Sequence, residues 1–110
     1  MIDHAQLDTL TQLLGKDTIN QIRLEYVQDS RQKMTILLDA WEERNYQELQ
    51  NVSHSLKSSS LNMAMLVFAK QCQLIETFSS QHNEQEIQAI IDDLLGLHKI
   101  SLKALAAYFS

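Results

Sequence analysis

Four histidines and one cysteine are the side chains of this 110-residue sequence best suited to nucleophilic or metal chemistry. His4 lies near a terminus, His82 follows the polar run Ser79-Ser80-Gln81, and His98 sits within the last apolar-periodic segment. Each of the three reads as a solvated or structural histidine. Cys72 falls in a stripe between Phe68 and Ile75 and reads as a core residue. No His or Cys stands in a close ligand pair and no Glu-x-x-His recurs on two segments, so no metal site is expected. His54 differs through its neighbours. On a helical wheel at about 100° per residue, Leu49, Val52, Leu56, Ser59 and Met63 cluster within about 40° of the pole opposite it. Asn51, Lys57, Ser58 and Leu61 lie on its own side. Helical side chains lean toward the N-terminus, so residue 58 partly covers residue 54, and a serine there is small enough to leave the imidazole accessible. Lys57, three residues on, can hold an ammonium near an oxyanion built on His54. A neutral imidazole nitrogen beside a cation suits transient phosphoryl capture: the nitrogen attacks and the cation offsets charge on the new oxygens. By wheel geometry alone, the same pattern also describes an ordinary surface histidine.

The elements that must position these residues follow from composition and periodicity. The chain has no Pro, 2 Gly and 45% hydrophobic residues. Sheet folds need many turns, which draw on Gly and Pro, so barrels, sandwiches, Rossmann units and Gly-rich phosphate loops are excluded. One domain spanning 1–110 and dominated by long helices remains. Leu7, Leu10 and Leu14 mark a short first helix, with Gly15 at its C-terminal end. A second helix opens at Asp17 or Thr18, where Thr18 and Gln21 have capping-box spacing, and follows Ile19, Ile22, Tyr26, Ser30, Leu37, Leu38 and Trp41 to about Arg44. A third opens at Asn45 with Glu48 three residues on, and carries Leu49, Val52 and Leu56. The run Ser58-Ser59-Ser60-Leu61-Asn62 contains poor helix formers, and Asn62 either ends this helix or caps the next. A fourth shows Met65, Phe68, Cys72 and Ile75. The fifth opens at Asn83, with Glu86 in capping-box position, and follows Ile87, Ile90, Ile91, Leu94, Leu97 and Leu105 past a weak spot at Gly96. Short connections make consecutive helices antiparallel, so an all-α, up-down-up-down four-helix bundle with a short N-terminal capping helix is predicted.

The net charge of −5 argues against nucleic acid, which demands a basic face. A single cysteine fits a reducing cytosol. No apolar run reaches the ~18–20 residues of a membrane span, and the N-terminus lacks the pattern of a signal peptide. A cytoplasmic, monomeric protein without membrane attachment is expected.

The string His54-Ser55-Leu56-Lys57-Ser58-Ser59-Ser60 resembles the H-x-L-K-G-S-S signature of histidine-containing phosphotransfer (HPt) domains. Ala64 stands at a later position where that family usually has Gly, and Leu66, Cys72, Leu74 and Glu76 follow its downstream pattern. The clear likeness covers 54–76, and the flanking helices agree with the family bundle in length and order. Ser58 and Ala64 depart from the usual glycines but remain small. The Ser53-to-Ser59 segment also resembles the free-standing HPt proteins of bacterial quorum-sensing relays, and the initiator-like Met1 fits a free-standing chain. The resemblance implies that His54 accepts a phosphoryl group and Lys57 stabilises its charge. It implies too that Ser58 keeps His54 open, and can donate a hydroxyl hydrogen bond to the phosphoryl group, and that Glu76 orients the histidine. A hairpin folding near residues 61–65 brings Glu76 level with His54, but His54 lies nearly opposite the third helix's main apolar stripe, so Glu76 reaches it only if the helices cross or the fourth helix packs to one side. Asn51 and Leu61 are the implied docking contacts, Leu61 being an apolar residue on a polar face.

The expected partners are the receiver domain of a hybrid sensor histidine kinase and the receiver domain of a response regulator. No cofactor is expected on this chain, with Mg²⁺ supplied by the receiver. The chain is expected to act as a phosphotransfer intermediate with no kinase activity of its own, since it is too short for a nucleotide-binding domain. The alternative is a non-catalytic helical adaptor in which His54 is incidental.

Overall fold

Asp3, Asn45 and Asn83 each accept a hydrogen bond from the backbone N–H three residues ahead, and each begins a helix. The computed structural model describes residues 1–110 and contains α1 (His4–Leu14), α2 (Lys16–Glu42), α3 (Tyr46–Asn62), α4 (Leu66–Ser80) and α5 (Glu84–Phe109). Helices α2 to α5 form the expected up-down-up-down bundle, 42 × 20 × 20 Å in extent. Each of the four packs on its two chain or bundle neighbours and not on its diagonal, which gives a square cross-section with the α3–α4 seam diagonally placed from the α2–α5 seam. The core is one continuous cluster that includes Leu37, Trp41, Leu49, Leu56, Phe68, Ile75, Leu94 and Leu105.

Helix α1 caps the end of the bundle formed by the α3–α4 turn and the last turns of α5. Leu7 is fully buried there. The Tyr108 hydroxyl donates to Asp8, and the Gln6 amide donates to the Leu61 carbonyl at 2.8 Å. The residues before α1 pair with the α3–α4 turn in a single antiparallel bridge, Asp3 N–H to the Ala64 carbonyl at 2.9 Å and Leu66 N–H to that of Met1 at 3.1 Å.

The structure corrects three expectations and decides a fourth that was open. Helix α2 begins at Lys16, not at Asp17 or Thr18, because Gly15 at φ 88° reverses the chain in one residue. No loop is left for Thr18 to cap, and no side chain caps α2. At the α3–α4 junction the serine run stays helical and Asn62 ends α3, the first of the two alternatives for that residue. Two of the run's hydroxyls are satisfied within the fold, Ser59 by the Ser55 carbonyl and Ser60 by the Tyr26 hydroxyl at 2.7 Å, which offsets their weak propensity, while Ser58 is exposed. Gly96 does not weaken α5, which runs unbroken through it. In the apolar stripes, Leu14 and Ile22 are exposed and Met34 is buried. Leu14 ends a helix lying beyond the bundle, and Ile22 sits about 60° off the line of Ile19 and Leu37.

His98 and Cys72 are core residues. Burial pushes the Cys72 thiol up to about 12, so no thiolate is available at neutral pH. His98 packs its ring on Phe68 and places Nε2 2.9 Å from the Ser30 hydroxyl. The Ser30 hydroxyl also lies 3.2 Å from the Val27 carbonyl, so the serine joins the His98 ring to the α2 backbone. Burial, helped by the Arg31 charge, lowers the His98 pKa from 6.5 to about 4. Between those two values the unfolded chain binds a proton that the folded chain refuses, so stability must fall as pH falls from 6.5 toward 4 and level off below. Urea unfolding should show a loss of about 3 kcal/mol across that window from this group. His98→Met should flatten that part of the pH profile, and an unchanged slope would contradict the assignment.

Candidate functional site

Helix α3 presents Asn51, His54, Ser58 and Leu61 along one exposed stripe, at spacings of three and four residues. His54 stands in the middle of the helix with its side chain 59% exposed. The opposite face, Leu49, Val52 and Leu56, is buried, so α3 is held by one side while the other meets solvent.

The α3–α4 hairpin supplies the second half of the site. Its turn at Met63–Met65 puts Ala64 in the left-handed region at φ 62°. Folding back about this point brings Glu76 level with His54, and His54 Nδ1 lies 2.8 Å from Glu76 Oε2. The other carboxylate oxygen, Oε1, accepts from Lys57 Nζ at 3.1 Å. Lys57 lies on the wheel about 60° from His54, toward the α4 side. Helix α4 therefore packs to one side of α3, the second of the two arrangements that allow contact with Glu76. Lys57 and Glu76 are both about three-quarters covered, at 22% and 23% side-chain exposure, while the imidazole they support projects.

This geometry bears on which imidazole nitrogen carries the proton. An ionised carboxylate only accepts hydrogen bonds, so the proton of a neutral His54 resides on Nδ1 and is donated to Glu76. Nε2 is left with its lone pair and no proton. The ring is also fixed in rotation, as histidines backed by a carboxylate are in metal and hydrolase sites. Lys57 was expected beside the incoming charge; in the structure its ammonium holds the Glu76 carboxylate in place. Ser58 is exposed and, having no bulk beyond its hydroxyl, leaves His54 open. Asn51 accepts a hydrogen bond from the Gln47 amide at 3.2 Å. Leu61 is 44% exposed, an apolar spot at the end of the stripe.

Two contributions were not foreseen from sequence. The Lys57–Glu76 ion pair joins residues 19 apart, and Gln6 secures the Leu61 carbonyl from 55 residues away. Neither spacing carries a periodic signal; only the hairpin register could have revealed the first, and nothing local the second.

The site is convex. None of the three grooves on the molecule includes His54, Lys57 or Glu76. No group of three or more His, Cys, Asp or Glu side chains is placed to hold a metal ion. A nucleophile on an open helix face encloses no small substrate.

Long-range proton–nitrogen spectra above pH 8 should show His54 protonated at Nδ1. Glu76→Ala should remove that preference, whereas Glu76→Gln, which keeps an acceptor oxygen, should retain it. An Nε2-protonated ring in the native chain would contradict the assignment.

Comparison with known proteins places these features in a family. The family model described as Hpt domain matches residues 4–107. Among solved structures, the crystal structure of histidine-containing phosphotransfer protein B (HptB) from Pseudomonas aeruginosa PAO1 is similar in fold, with a TM-score of 0.90 and 22% sequence identity over 98% of this chain and 93% of that one. No curated protein sequence matches significantly.

Proposed function

The chain belongs to the Hpt domain family, the histidine phosphotransfer proteins of phosphorelays, and from that premise we propose that His54 is its phosphoryl carrier, acting through Nε2. The observation that carries this reading is the Nδ1–Glu76 hydrogen bond, which leaves Nε2 as a free, exposed nucleophile.

In the forward step the Nε2 lone pair forms a bond to phosphorus while the bond from phosphorus to an aspartate oxygen of the donor breaks. The electron pair departs with that aspartate as carboxylate. The imidazole ring gains positive charge, and the Glu76 carboxylate at Nδ1 offsets it. In the second step the second aspartate's oxygen attacks and His54 leaves as neutral imidazole, its Nδ1 proton never having moved. Catalysis of this kind is mostly alignment and charge placement. Lys57 has two tasks in this scheme: it holds Glu76 at rest, and it can turn its ammonium to the phosphoryl oxygens once these appear one helical turn away. Ser58 keeps the approach open, and Asn51 and Leu61 form the docking rim.

The partners that fit are the receiver domains of a hybrid sensor histidine kinase and of a response regulator. Each would bring the acidic pocket and Mg²⁺ that a convex histidine lacks. No helix of this chain is long and apolar enough to cross a membrane; the role proposed here is that of a monomeric carrier moving between the two receivers in the cytoplasm.

Incubation with a phosphorylated receiver domain should give this protein an acid-labile, base-stable label. His54→Gln should take up none. Glu76→Ala should slow transfer by about 10–100-fold, as for other supports of a reactive histidine, and Lys57→Ala by about tenfold or more. Equal labelling of His54→Gln, or no labelling of the native chain, overturns the reading in favour of a non-catalytic helical adaptor.

A further inference from the structure

Helices α2 and α5 are the least closely joined neighbours in the bundle, and the seam between them opens into a groove of about 690 Å³. Three contacts tie this antiparallel pair: Trp41 Nε1 donating to the Gln88 carbonyl oxygen at one end, Ser30 against His98, and the Arg23 guanidinium over the Phe109 ring at the other. The floor is apolar, with Val27, Met34 and Leu38 from one helix and Leu95, Leu102 and Ala106 from the other. On each helix these positions are separated by seven and then four residues. That is the spacing with which a helix offers one stripe to another helix.

The rims carry charge of one sign. Arg23 and Arg31 line the α2 side, Lys99 and Lys103 the α5 side, and no Asp or Glu is among the lining residues. Four of the 9 Lys and Arg of a chain with net charge −5 are thus gathered at one groove. None of the four takes part in an ion pair. From Arg23 to Arg31 the cations extend over about 12 Å of helix, with Lys99 and Lys103 facing them across the seam.

We propose that this groove docks an acidic amphipathic helix of a partner protein, its apolar stripe on the floor and its carboxylates on both flanks against the rims. The groove is open to solvent along the seam, so a small anion would stay largely wetted, whereas small-ligand sites enclose most of the ligand. Charge spread along two rims over two helical turns matches carboxylates repeated at three- and four-residue spacing better than a single head group. The α2–α5 seam lies diagonally across the bundle from the α3–α4 seam that holds His54 and Glu76. A helix docked there leaves the phosphotransfer face free, so one partner can hold the carrier while another exchanges phosphoryl groups with it. The inference does not depend on the role of His54.

A displayed library of random helical peptides, about 18 residues long to span five turns, tests it with the native chain as bait. The expected binders carry apolar residues at i, i+3 or i+4, and i+7, flanked by Asp and Glu. Proton–nitrogen spectra should confine their amide shifts to residues 23–38 and 95–106. The double variant Lys99→Glu, Lys103→Glu should weaken them about tenfold or more while phosphoryl acceptance from a receiver stays unchanged. Enrichment of basic or uncharged peptides, no enrichment at all, shifts centred on His54, or indifference to the double variant would each overturn the proposal. So would decanoate moving the groove resonances when no peptide does, since the site would then belong to a small anionic amphiphile.

Discussion

One carboxylate joins the working parts of this molecule. Glu76 divides its two oxygens between His54 Nδ1 and Lys57 Nζ across the α3–α4 seam, and this fixes both a tautomer and a ring orientation. A single shift of register between α3 and α4 would rotate Glu76 by about 100° and lose both contacts. The fold therefore has to hold that register, and the turn at Met63–Met65 is where it is set. Ala64 adopts a left-handed conformation that costs a residue with a Cβ about 1–2 kcal/mol. The cost is offset locally: the Ala64 methyl is fully buried, and its carbonyl accepts the Asp3 N–H. The N-terminal residues and α1 act as a brace on the hairpin that aligns the site. A glycine would relieve the backbone strain there but would surrender the buried methyl.

His54 and His98 show how one side-chain type serves opposite ends under two environments. His98 is enclosed by Phe68 and Ser30, and burial holds it neutral and unreactive far below neutral pH. It fills space and satisfies a serine. His54 has one nitrogen tied and the other in solvent. What separates the two histidines is which of their nitrogens the fold leaves unclaimed, and at His54 the neighbouring carboxylate makes that choice.

The sequence made much of this legible because its strongest signals are local. Asn45 and Asn83 cap α3 and α5 as their spacing with Glu48 and Glu86 predicts, and the stripes of α3 and α4 point inward as periodicity requires. The exposure of His54 also followed from the wheel. Local signals failed where the backbone or a distant partner decides. Thr18 and Gln21 carry capping-box spacing, yet Gly15 alone turns the chain into α2. The serines of α3 look like helix breakers until Tyr26, 34 residues before Ser60, satisfies one of them. The Glu76 contact could be placed at the right level along the hairpin but not on the right side, because the lateral offset of α4 is a property of packing. The Lys57 contact, which depends on the same offset, was invisible for the same reason.

The sparse composition in Gly and Pro bears on how the two faces can differ. Long uninterrupted helices leave a bundle with no loops over its sides, so function must reside on bare helix faces. An imidazole on such a face is exposed by default, and His54 has a small residue one turn on and a carboxylate from the next helix beside it. Such a face cannot enclose its own substrate, and that burden passes to a partner with a cavity. The same absence of covering loops leaves the α2–α5 seam open, with its cations unpaired at the rims. In a chain of net charge −5 such a concentration lowers stability slightly through self-repulsion. Of the four cations only Arg23 has a packing role, over the Phe109 ring, and the core beneath includes Leu37, Leu94 and Leu105.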